Sequence, residues 1–249
     1  MIKVKDILSY LESLYPSDTA CDFDNVGLLV GNGDSEVKCA VVALDCDITA
    51  LQFAKQQGAN LIITHHPVIF EPLKAVREND IVFKLIESGI SVISMHTNLD
   101  VGAGGVNDAL CTALGLTDIK PYIAEDGYML KSAKTDKHSA DALALHIKNR
   151  LGSMVKYVCG KEPINNVLVC SGSGGNYLDE AISGKFDALI TADVKQNHFI
   201  AAINAGISLF DGGHYNTENV VVQPLCDRLS SKFSDVSIFP FSPESIKIV

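Results

Sequence analysis

The chain has 249 residues, of which 47% are hydrophobic and 20% charged, with a formal net charge of -10 and a sequence pI near 5.1. A chain of this size buries enough apolar surface to fold without a disulfide or a structural metal. The acidic balance argues against a dedicated nucleic-acid-binding protein, although a bound cation would reverse the local field and admit a nucleotide substrate.

The seven cysteines indicate a reducing compartment. Their number is odd, no Cys-x-x-Cys pair occurs and several lie inside apolar runs, so we expect thiols rather than disulfides. Residues 1–6 lack a signal-peptide hydrophobic region, and no apolar run reaches the ~20 residues that span a bilayer. The sequence therefore predicts a cytoplasmic protein with no membrane partner.

The first predicted element is an amphipathic helix over residues 4–15, whose apolar side chains recur with helical spacing and which Pro16 ends. A loop from residue 21 then runs into a short strand that ends near Gly31. The loop contains Asp24 and Asn25. These two residues could support a nearby site or simply form a turn, and the sequence leaves both interpretations open.

A strand–helix–strand unit follows. Residues 39–44 and 60–64 are short apolar runs typical of buried strands. Between them, residues 50–57 are predicted to form a helix, with Asp47 as an N-cap candidate and Gly58 after the last turn. This order predicts parallel strands joined by a right-handed crossover.

The same unit recurs in the second half of the chain. Residues 166–170 and 187–191 are again apolar strands, joined by a glycine-rich turn and a short helix. In both halves a further helix and a further strand follow, the last strands being residues 90–95 and 207–210. The repetition predicts an α/β fold of two pseudo-symmetric halves produced by internal duplication, although any two such units resemble one another.

A connecting segment separates the halves and a tail follows the second. Residues 120–165 contain a turn, a helix and a strand, and Pro240 begins an irregular tail that ends in a short apolar strand. We predict one α/β domain formed by residues 1–120 and 206–249 and a second formed by residues 121–205.

Three histidine-containing motifs follow predicted strands. The first is His65-His66, at the carboxyl end of a strand, where ligands of open parallel sheets bind. Adjacent side chains on an extended chain point in opposite directions, so two neighbouring metal ions fit this pair better than one. A pair of hydrogen-bonded loop histidines is the alternative.

The second motif places His96 and Asp100 between a strand and a helix, followed by glycines that let backbone approach a ligand closely. It offers a carboxylate and a further imidazole. It lacks the Lys-Ser/Thr pair of a P-loop, so a phosphate-binding role is only weakly indicated. Asp100 could instead cap a helix or a turn.

The third motif contains His214 and Glu218, which are four residues apart and share one face if a helix begins there. A histidine and a glutamate at this offset form a plausible metal-binding pair. In the alternative, Thr217 is an N-cap and Glu218 complements the helix dipole.

Together the motifs supply three histidines and two carboxylates, which suit a two-metal site for Zn, Fe or Mn and disfavour Ca. The predicted ligands are His65, His66, Asp100, His214 and Glu218. His96 and His198 are candidates for proton transfer or substrate contact, and His198 could equally hold a structural hydrogen bond. His138 and His146 are predicted to be structural.

These motifs resemble those of a known family. The similar runs are Asp22-Phe-Asp-Asn-Val-Gly-Leu-Leu-Val-Gly31, Ile63-Thr-His65-His66-Pro67, Met95-His96-Thr-Asn-Leu-Asp100 and Gly213-His214-Tyr-Asn-Thr-Glu218. They resemble the NIF-three-like family, also called dinuclear metal centre hexameric proteins or GTP cyclohydrolase I type 2 homologues. The likeness covers nearly the whole chain and keeps the family's motif order.

The resemblance implies a toroidal hexamer whose two-metal sites face an internal cavity. It also implies ligand roles for the five residues named above, with Glu218 able to bridge the metals. The short connection between the halves leaves no room for the extra domain that some family members insert there, so the chain looks like the compact form. Family membership by itself does not settle an activity.

Three functional hypotheses remain, of which we favour the first. It is a metal-dependent hydrolase acting on a nucleotide, a pterin precursor or a phosphoester, as the cyclohydrolase name implies. The second is a non-enzymatic protein that stores or delivers metal or serves as a protein-interaction scaffold. The third, nucleic-acid binding, is disfavoured by the net charge of -10.

Overall fold

The computed structural model describes residues 1–243 and divides into two compact units. The first unit comprises Met1–Ala103 and the described residues from Val222 onward, and the second comprises Gly104–Val221. Each unit combines a β-sheet with helices, which confirms the predicted α/β class. No helix within residues 1–243 is long and apolar enough to cross a membrane.

Strands and helices alternate along most of the described chain. The strands are β1 (Gly27–Val30), β2 (Cys39–Ala43), β3 (Leu61–Thr64), β4 (Ser91–Ser94), β5 (Thr117–Ile123), β6 (Met129–Lys134), β7 (Lys156–Val158), β8 (Asn166–Val169), β9 (Ala188–Thr191), β10 (Ser208–Asp211) and β11 (Ser237–Phe241). The helices are α1 (Val4–Leu14), α2 (Ile48–Gln57), α3 (Ile81–Glu87), α4 (Thr97–Val101), α5 (Val106–Ala113), α6 (Ala140–Leu151), α7 (Leu178–Ser183), α8 (Gln196–Ala205), α9 (His214–Glu218) and α10 (Val222–Lys232).

The first unit is built on a five-stranded sheet with the order β1-β4-β3-β2-β11. Four of these strands are parallel, and β1 lies antiparallel to β4 at one edge. The register places Ala43 beside Thr64 and Thr64 beside Ser94, so β2, β3 and β4 end at the same level. Side chains that follow these strands therefore share one edge of the sheet, where ligands of parallel sheets bind.

The strands of the first unit are nearly continuous apolar runs because helices cover the sheet. Val41, Ile62 and Val92 on the central strands pack in one core with Leu51 of α2 and Leu85 of α3. Burial of each such side chain stabilises the fold by about 1.5–3 kcal/mol relative to leaving it exposed. The core thus fixes the level at which β2, β3 and β4 end.

Helix α2 ends at Gln57 as predicted and begins at Ile48, two residues before the predicted start. The Asp47 carboxylate accepts hydrogen bonds from the backbone N–H groups of Thr49 and Ala50 at 2.9 and 2.8 Å, which satisfies two of the groups left without helical partners. Gly58 follows in the left-handed conformation, at φ +67°. The cap predictions for this helix are confirmed.

The second unit is built on a six-stranded sheet with the order β5-β6-β8-β9-β10-β7. Its three central strands are parallel, whereas β6 and β7 lie antiparallel to β8 and β10. Val167, Val169 and Ile190 pack in one core, and Leu168 and Leu189 pack in another. Alternate side chains point to opposite faces of a sheet, so both faces are buried.

The two units repeat one topology. A helix, an antiparallel edge strand and three parallel strands occur as α1-β1-β2-α2-β3-α3-β4 in the first and as α6-β7-β8-α7-β9-α8-β10 in the second. The sheet orders β1-β4-β3-β2 and β7-β10-β9-β8 correspond strand by strand. The predicted pair of α/β halves from an internal duplication is confirmed in this strand order.

The units do not divide where the sequence predicts a boundary. β10 pairs with β9 and β7 and therefore lies in the second unit, not in the predicted first domain. Helix α5 packs against β5 and β6 and also belongs to the second unit, whereas α10 packs against β2 and β11 in the first. Strand pairing decides to which unit each strand belongs. The observed boundaries lie after Ala103 and Val221, whereas the predicted ones lie after residues 120 and 205.

Two further parts of the fold differ from the sequence expectation. The connecting segment contains the β5–β6 hairpin, which was not predicted. Pro240 lies in β11 rather than in an irregular tail; β11 is at the edge of the described sheet, where a residue without an N–H is tolerated. The short apolar strand predicted at the end of the chain lies outside the described residues.

Candidate metal centre

The carboxyl ends of β3 and β4 bring three imidazole rings together in the first unit. The ring centroids of His65 and His66 are 4.9 Å apart, and the ring of His96 lies 5.1 Å from His65 and 5.7 Å from His66. One ligating atom from each of these residues lies within 4.8 Å of the other two. Three nitrogens this close could hold one metal ion.

The two adjacent histidines do not point in opposite directions as they would on an extended strand. β3 ends at Thr64, and His65 and His66 already lie in a bend. Thr64 donates its hydroxyl hydrogen to the His66 backbone oxygen at 2.8 Å, which holds the bend. The expected divergence of the rings is wrong, so their adjacency does not by itself require two metals.

His65 is oriented by a backbone oxygen and faces a carboxylate. Its Nδ1 lies 3.0 Å from the Met95 carbonyl oxygen, and because a carbonyl only accepts, Nδ1 carries the proton. Nε2 lies 3.5 Å from Asp100 Oδ1. Two lone-pair donors that face each other at this distance suit a shared cation, and Asp100 lies inside α4 rather than at a cap.

His66 is oriented by a carboxylate. Its Nδ1 lies 2.7 Å from Asp45 Oδ1, on the segment that follows β2. Because a carboxylate accepts, the Nδ1 hydrogen is donated to Asp45 and the lone pair of the neutral ring is on Nε2. A carboxylate behind the imidazole is the usual support of a metal-binding histidine.

His96 is held in the same way by Asp24, which precedes β1. Its Nδ1 lies 2.8 Å from Asp24 Oδ1, while Asp24 Oδ2 accepts hydrogen bonds from the Thr97 N–H at 2.9 Å and hydroxyl at 2.6 Å. Burial alone would raise the pKa of Asp24, but the hydrogen bonds from His96 and Thr97 outweigh it and hold that pKa well below its usual range. Asp24 is thus ionised at neutral pH and supports His96, beyond any turn role.

In the second unit, α9 carries His214 and Glu218 on one face. His214 Nε2 lies 3.0 Å from Glu218 Oε2, and its Nδ1 lies 2.7 Å from Asp193 Oδ2. The hydrogen bond to Glu218 outweighs burial and, with Asp193, raises the pKa of His214 to about 9. Without a metal the ring is therefore cationic at neutral pH, and a metal ion binding at Nε2 must displace a proton.

The predicted alternative for the third motif is wrong. Gly213, at φ +83°, precedes α9 directly, so the helix begins at His214 and not after Thr217. The Thr217 hydroxyl donates back to the Gly213 carbonyl at 3.0 Å from within the helix. Thr217 is therefore not an N-cap, and Glu218 lies at the end of α9 rather than in its first turn.

The glycine-rich turn after β8 makes room for the Glu218 carboxylate. Gly172 has φ +59°, and a Cβ at this position would overlap Glu218 Oε1. The Gly172 N–H also donates to Thr217 Oγ1 at 3.1 Å. Gly172 is required by both the backbone conformation and the close approach of the carboxylate.

His198 lies on α8 against the same turn. A Cβ on Gly175 would be 2.7 Å from the His198 Nδ1 atom, so the ring packs directly on this glycine. Among residues 1–243, the groups of three side chains that could hold a metal do not include His198. Its role in proton transfer or substrate contact stays a prediction.

The other two histidines contact backbone oxygens. His138 donates from Nδ1 to the Ile164 carbonyl at 3.0 Å, and His146 donates from Nε2 to the Leu114 carbonyl at 2.7 Å. Both bonds join separate elements of the second unit. This arrangement fits the structural role predicted for them.

Two supporting carboxylates, Asp45 and Asp193, escaped sequence reasoning. Asp45 follows β2 by two residues and Asp193 follows β9 by two residues. The repeat carried a usable signal, because matching Thr64 with Thr191 places Asp193 opposite His66. A comparison of the polar residues at the strand ends of the two repeated units would therefore have identified both aspartates as candidates.

The donor sets fit a divalent cation of intermediate hardness. The first unit offers imidazole nitrogens and the Asp100 carboxylate, and the second offers His214 and Glu218. Each of these imidazoles has its Nδ1 on an oxygen acceptor, so a metal would bind at Nε2. Histidine and carboxylate together suit Zn, Fe or Mn.

Fold and site together define a class of protein. It is an α/β protein with a duplicated sheet topology and clusters of histidines and carboxylates at the strand ends. The family model Duf34/NIF3 (NGG1p interacting factor 3) matches residues 2–245. The chain therefore belongs to the Duf34/NIF3 family, which confirms the resemblance drawn from its motifs.

Relatives and solved structures agree with this assignment. The GTP cyclohydrolase 1 type 2 homolog of Lactococcus lactis is 33% identical over 247 residues, with 96% of this chain and 95% of that protein covered. A hypothetical protein of Staphylococcus aureus has a TM-score of 0.91 at 27% identity, covering 99% of both chains. A Bacillus cereus protein related to NIF3 shares the fold, with a TM-score of 0.90 at 22% identity over 100% of this chain and 99% of that one.

Proposed function

We propose that this protein is a metal-dependent hydrolase that binds two divalent metal ions per chain. The proposed ligands are His65, His66, Asp100, His214 and Glu218. One observation, made in each unit separately, carries the proposal: an imidazole Nε2 faces a carboxylate oxygen. The pairs are His65 with Asp100 at 3.5 Å and His214 with Glu218 at 3.0 Å.

Each unit orients its ligands before an ion binds. Asp45 accepts the Nδ1 hydrogen of His66 and Asp193 that of His214, both at 2.7 Å. These bonds fix the plane of each ring and keep the hydrogen on Nδ1, so that a metal would bind at Nε2, at His214 after displacing the second proton. Side chains ordered in advance lose less conformational freedom on binding, which favours affinity.

The residues of this chain also supply a sheltered setting for the reaction. Asp100 and Glu218 are buried, with 6% and 4% of their surface exposed. Glu218 is proposed to bridge the two ions, and the space beside Gly172 accommodates its carboxylate. Two divalent ions, when bound, supply Lewis-acid polarisation of the substrate and a hydrolytic nucleophile near neutral pH.

For the substrate we propose a nucleotide or a related phosphoester. The support is the name carried by relatives of this chain, GTP cyclohydrolase 1 type 2 homolog, together with a donor set suited to Zn, Fe or Mn. His96 and His198 remain candidates for proton transfer or substrate contact. A homohexamer, implied by the family resemblance, and a cytoplasmic location, expected from the sequence, complete the proposal.

Metal content tests the ligand set. The untagged full chain is purified and its metals are counted by elemental analysis, beside the variants His65→Ala and Glu218→Ala. The matched control is His138→Gln, which alters a histidine bonded to a backbone oxygen. We expect two metals per wild-type chain, a clear loss of metal in both variants and no loss of metal in the control. Absence of metal from the wild type, or equal metal in all four proteins, contradicts the proposal.

Turnover tests the hydrolase part. Metal-loaded wild type and Glu218→Gln are incubated with GTP and with a panel of nucleotides and phosphoesters, and products are separated by chromatography. Wild-type turnover that Glu218→Gln abolishes is expected. Turnover that survives in Glu218→Gln contradicts the assigned site, and full metal occupancy without turnover of any compound favours metal delivery or a scaffold role instead.

A further inference from the structure

His96 stands in the first unit as a third imidazole that the five proposed ligands do not include. Its ring is 5.1 Å from His65 and 5.7 Å from His66. It is also partly accessible, with 19% of the side chain exposed. One ring nitrogen of His96 lies within 4.8 Å of a ring nitrogen of each of the other two histidines.

Asp24 determines which nitrogen of His96 faces these neighbours. Nδ1 donates to Asp24 Oδ1 at 2.8 Å, so the lone pair of the neutral ring is on Nε2. The Asp24 side chain is almost fully buried, with 1% exposed, and its position is fixed independently by the two hydrogen bonds from Thr97. A buried, immobile carboxylate behind an imidazole is the arrangement that His66 has with Asp45.

The duplicated unit repeats the arrangement. In the second unit, His214 begins the helix after the third parallel strand and precedes Glu218 by four residues. In the first unit, His96 directly precedes α4 and lies four residues before Asp100. Each of these histidines has an aspartate on its Nδ1, from Asp24 or from Asp193.

A purely structural role explains the contacts less completely. Asp24 already ties its loop to α4 through Thr97, and the Cys21 N–H adds a hydrogen bond of 2.9 Å to the Thr97 hydroxyl. His96 is not needed for that anchor. Its orientation towards two other imidazoles is accounted for by a shared ligand.

We infer that His96 is a further metal-binding side chain of the first unit and that Asp24 is the residue that positions it. The inference rests on the proposed binding of metal at His65 and His66. It adds His96 to the five ligands proposed above. Together with His65 and His66 of the same unit, His96 forms what we call the three-histidine face. A divalent cation that accepts three imidazole nitrogens, such as Zn²⁺ or Cd²⁺, is the matching ligand.

Zinc affinity of the full chain provides the first test. Competition with a chromophoric chelator is measured for wild type, His96→Gln and Asp24→Asn, with Asp22→Asn as a control in the same loop. We expect Asp24→Asn to weaken zinc binding by about 10- to 100-fold, as for other residues that orient a ligand, and His96→Gln by at least as much. Equal affinity in all four proteins overturns the inference.

Cadmium NMR tests the same point without a substitution. ¹¹³Cd²⁺ is added to the wild-type chain labelled with ¹⁵N-histidine, and ¹¹³Cd–¹⁵N couplings are recorded. We expect coupling to Nε2 of His96, His65 and His66. The Nδ1 hydrogen of His96 should stay on the ring and remain hydrogen-bonded to Asp24. Coupling to His65 and His66 without His96 overturns this inference alone.

The same spectra distinguish this inference from the proposed function. If the first-unit couplings survive in Glu218→Ala and that variant still binds as much metal as wild type, the five-ligand proposal fails and the three-histidine face stands. If cadmium couples to no histidine in wild type, both are wrong.

Discussion

The two units place their candidate ligands at the same edge of the same sheet topology, but they present different donors. The first unit brings His65, His66 and His96 together, whereas the cluster described in the second pairs His214 with Glu218. Two residues after the middle parallel strand, the first unit has His66 and the second has Asp193. Duplication kept the geometry of the edge, while at that position one copy has a proposed metal ligand and the other has an aspartate that accepts a hydrogen bond from one.

The electrostatic settings differ as well. His214 lies between two carboxylate oxygens, at 3.0 Å from Glu218 and 2.7 Å from Asp193, and its pKa is raised to about 9. His66 has a carboxylate partner, Asp45, at 2.7 Å and lies beside two other imidazoles. In the absence of metal, the second unit therefore holds a proton on His214 that metal binding must displace.

The largest effect is expected from Gly172→Ala, a substitution in the second unit that acts on Glu218. The new Cβ overlaps Glu218 Oε1 and also occupies a backbone conformation of φ +59°. We expect the Glu218 carboxylate to be displaced, metal content to fall and stability to fall by about 1–3 kcal/mol. Elemental analysis and denaturant unfolding measure the two effects.

Gly58→Ala is the matched control for that substitution. Gly58 also has a positive φ, +67°, but nothing lies within 4 Å of a Cβ built there. It should lose comparable stability and no metal. Equal metal loss in both variants would show that general destabilisation, and not the position of Glu218, empties the site.

The supporting aspartates give the next largest effect and compare the units directly. Asp193→Asn and Asp45→Asn each remove the carboxylate that accepts an Nδ1 hydrogen at 2.7 Å. We expect each to weaken metal binding by about 10- to 100-fold. Chelator competition measures the loss in each variant. Unchanged affinity in both variants would contradict the supporting role assigned to these aspartates.

A pH dependence should follow from His214. The pKa is raised from 6.5 to about 9 in the folded chain, so the added stability is fully present below about pH 6.5 and is lost as the pH rises through about 9. Thermal unfolding of chelator-treated wild type and His214→Gln should therefore differ most at the acid end of this range. A difference that stays constant from pH 6.5 to 9 would contradict the assignment.

The smallest effect is expected from the two histidines that bond to backbone oxygens. His138→Gln and His146→Gln each weaken one hydrogen bond, at 3.0 and 2.7 Å, which is worth about 0.5–1.5 kcal/mol. Metal content should be unchanged. A loss of metal in either variant would mean that the clusters described above omit a ligand.

Much of the fold was predictable from the sequence because its signals are local. Apolar runs bounded by turn residues gave the parallel strands, and Asp47 and Gly58 marked the ends of α2. The offset between His214 and Glu218 gave their shared helix face. Each of these features depends on residues within about one helical turn of each other in the chain.

Features that depend on distant residues were not predictable in this way. Asp24 contacts a histidine 72 positions away, and Asp45 and Asp193 each contact one 21 positions away. β10 joins the second unit because it pairs with β7 and β9; the repeat indicated this, but the boundary predicted at 205/206 did not use it. The bend at His65 and His66 was missed because the strand was assumed to continue past Thr64.

The central claim, that two divalent ions are bound by the five proposed ligands, is tested most directly by anomalous diffraction. Crystals of the zinc-loaded full chain would be measured on both sides of the zinc absorption edge. We predict two anomalous peaks per chain, at about 2.0–2.2 Å from the ligand atoms. The predicted ligand atoms are Nε2 of His65, His66 and His214 and carboxylate oxygens of Asp100 and Glu218. Peaks that contact none of these five residues, or no peak at all, would contradict the claim.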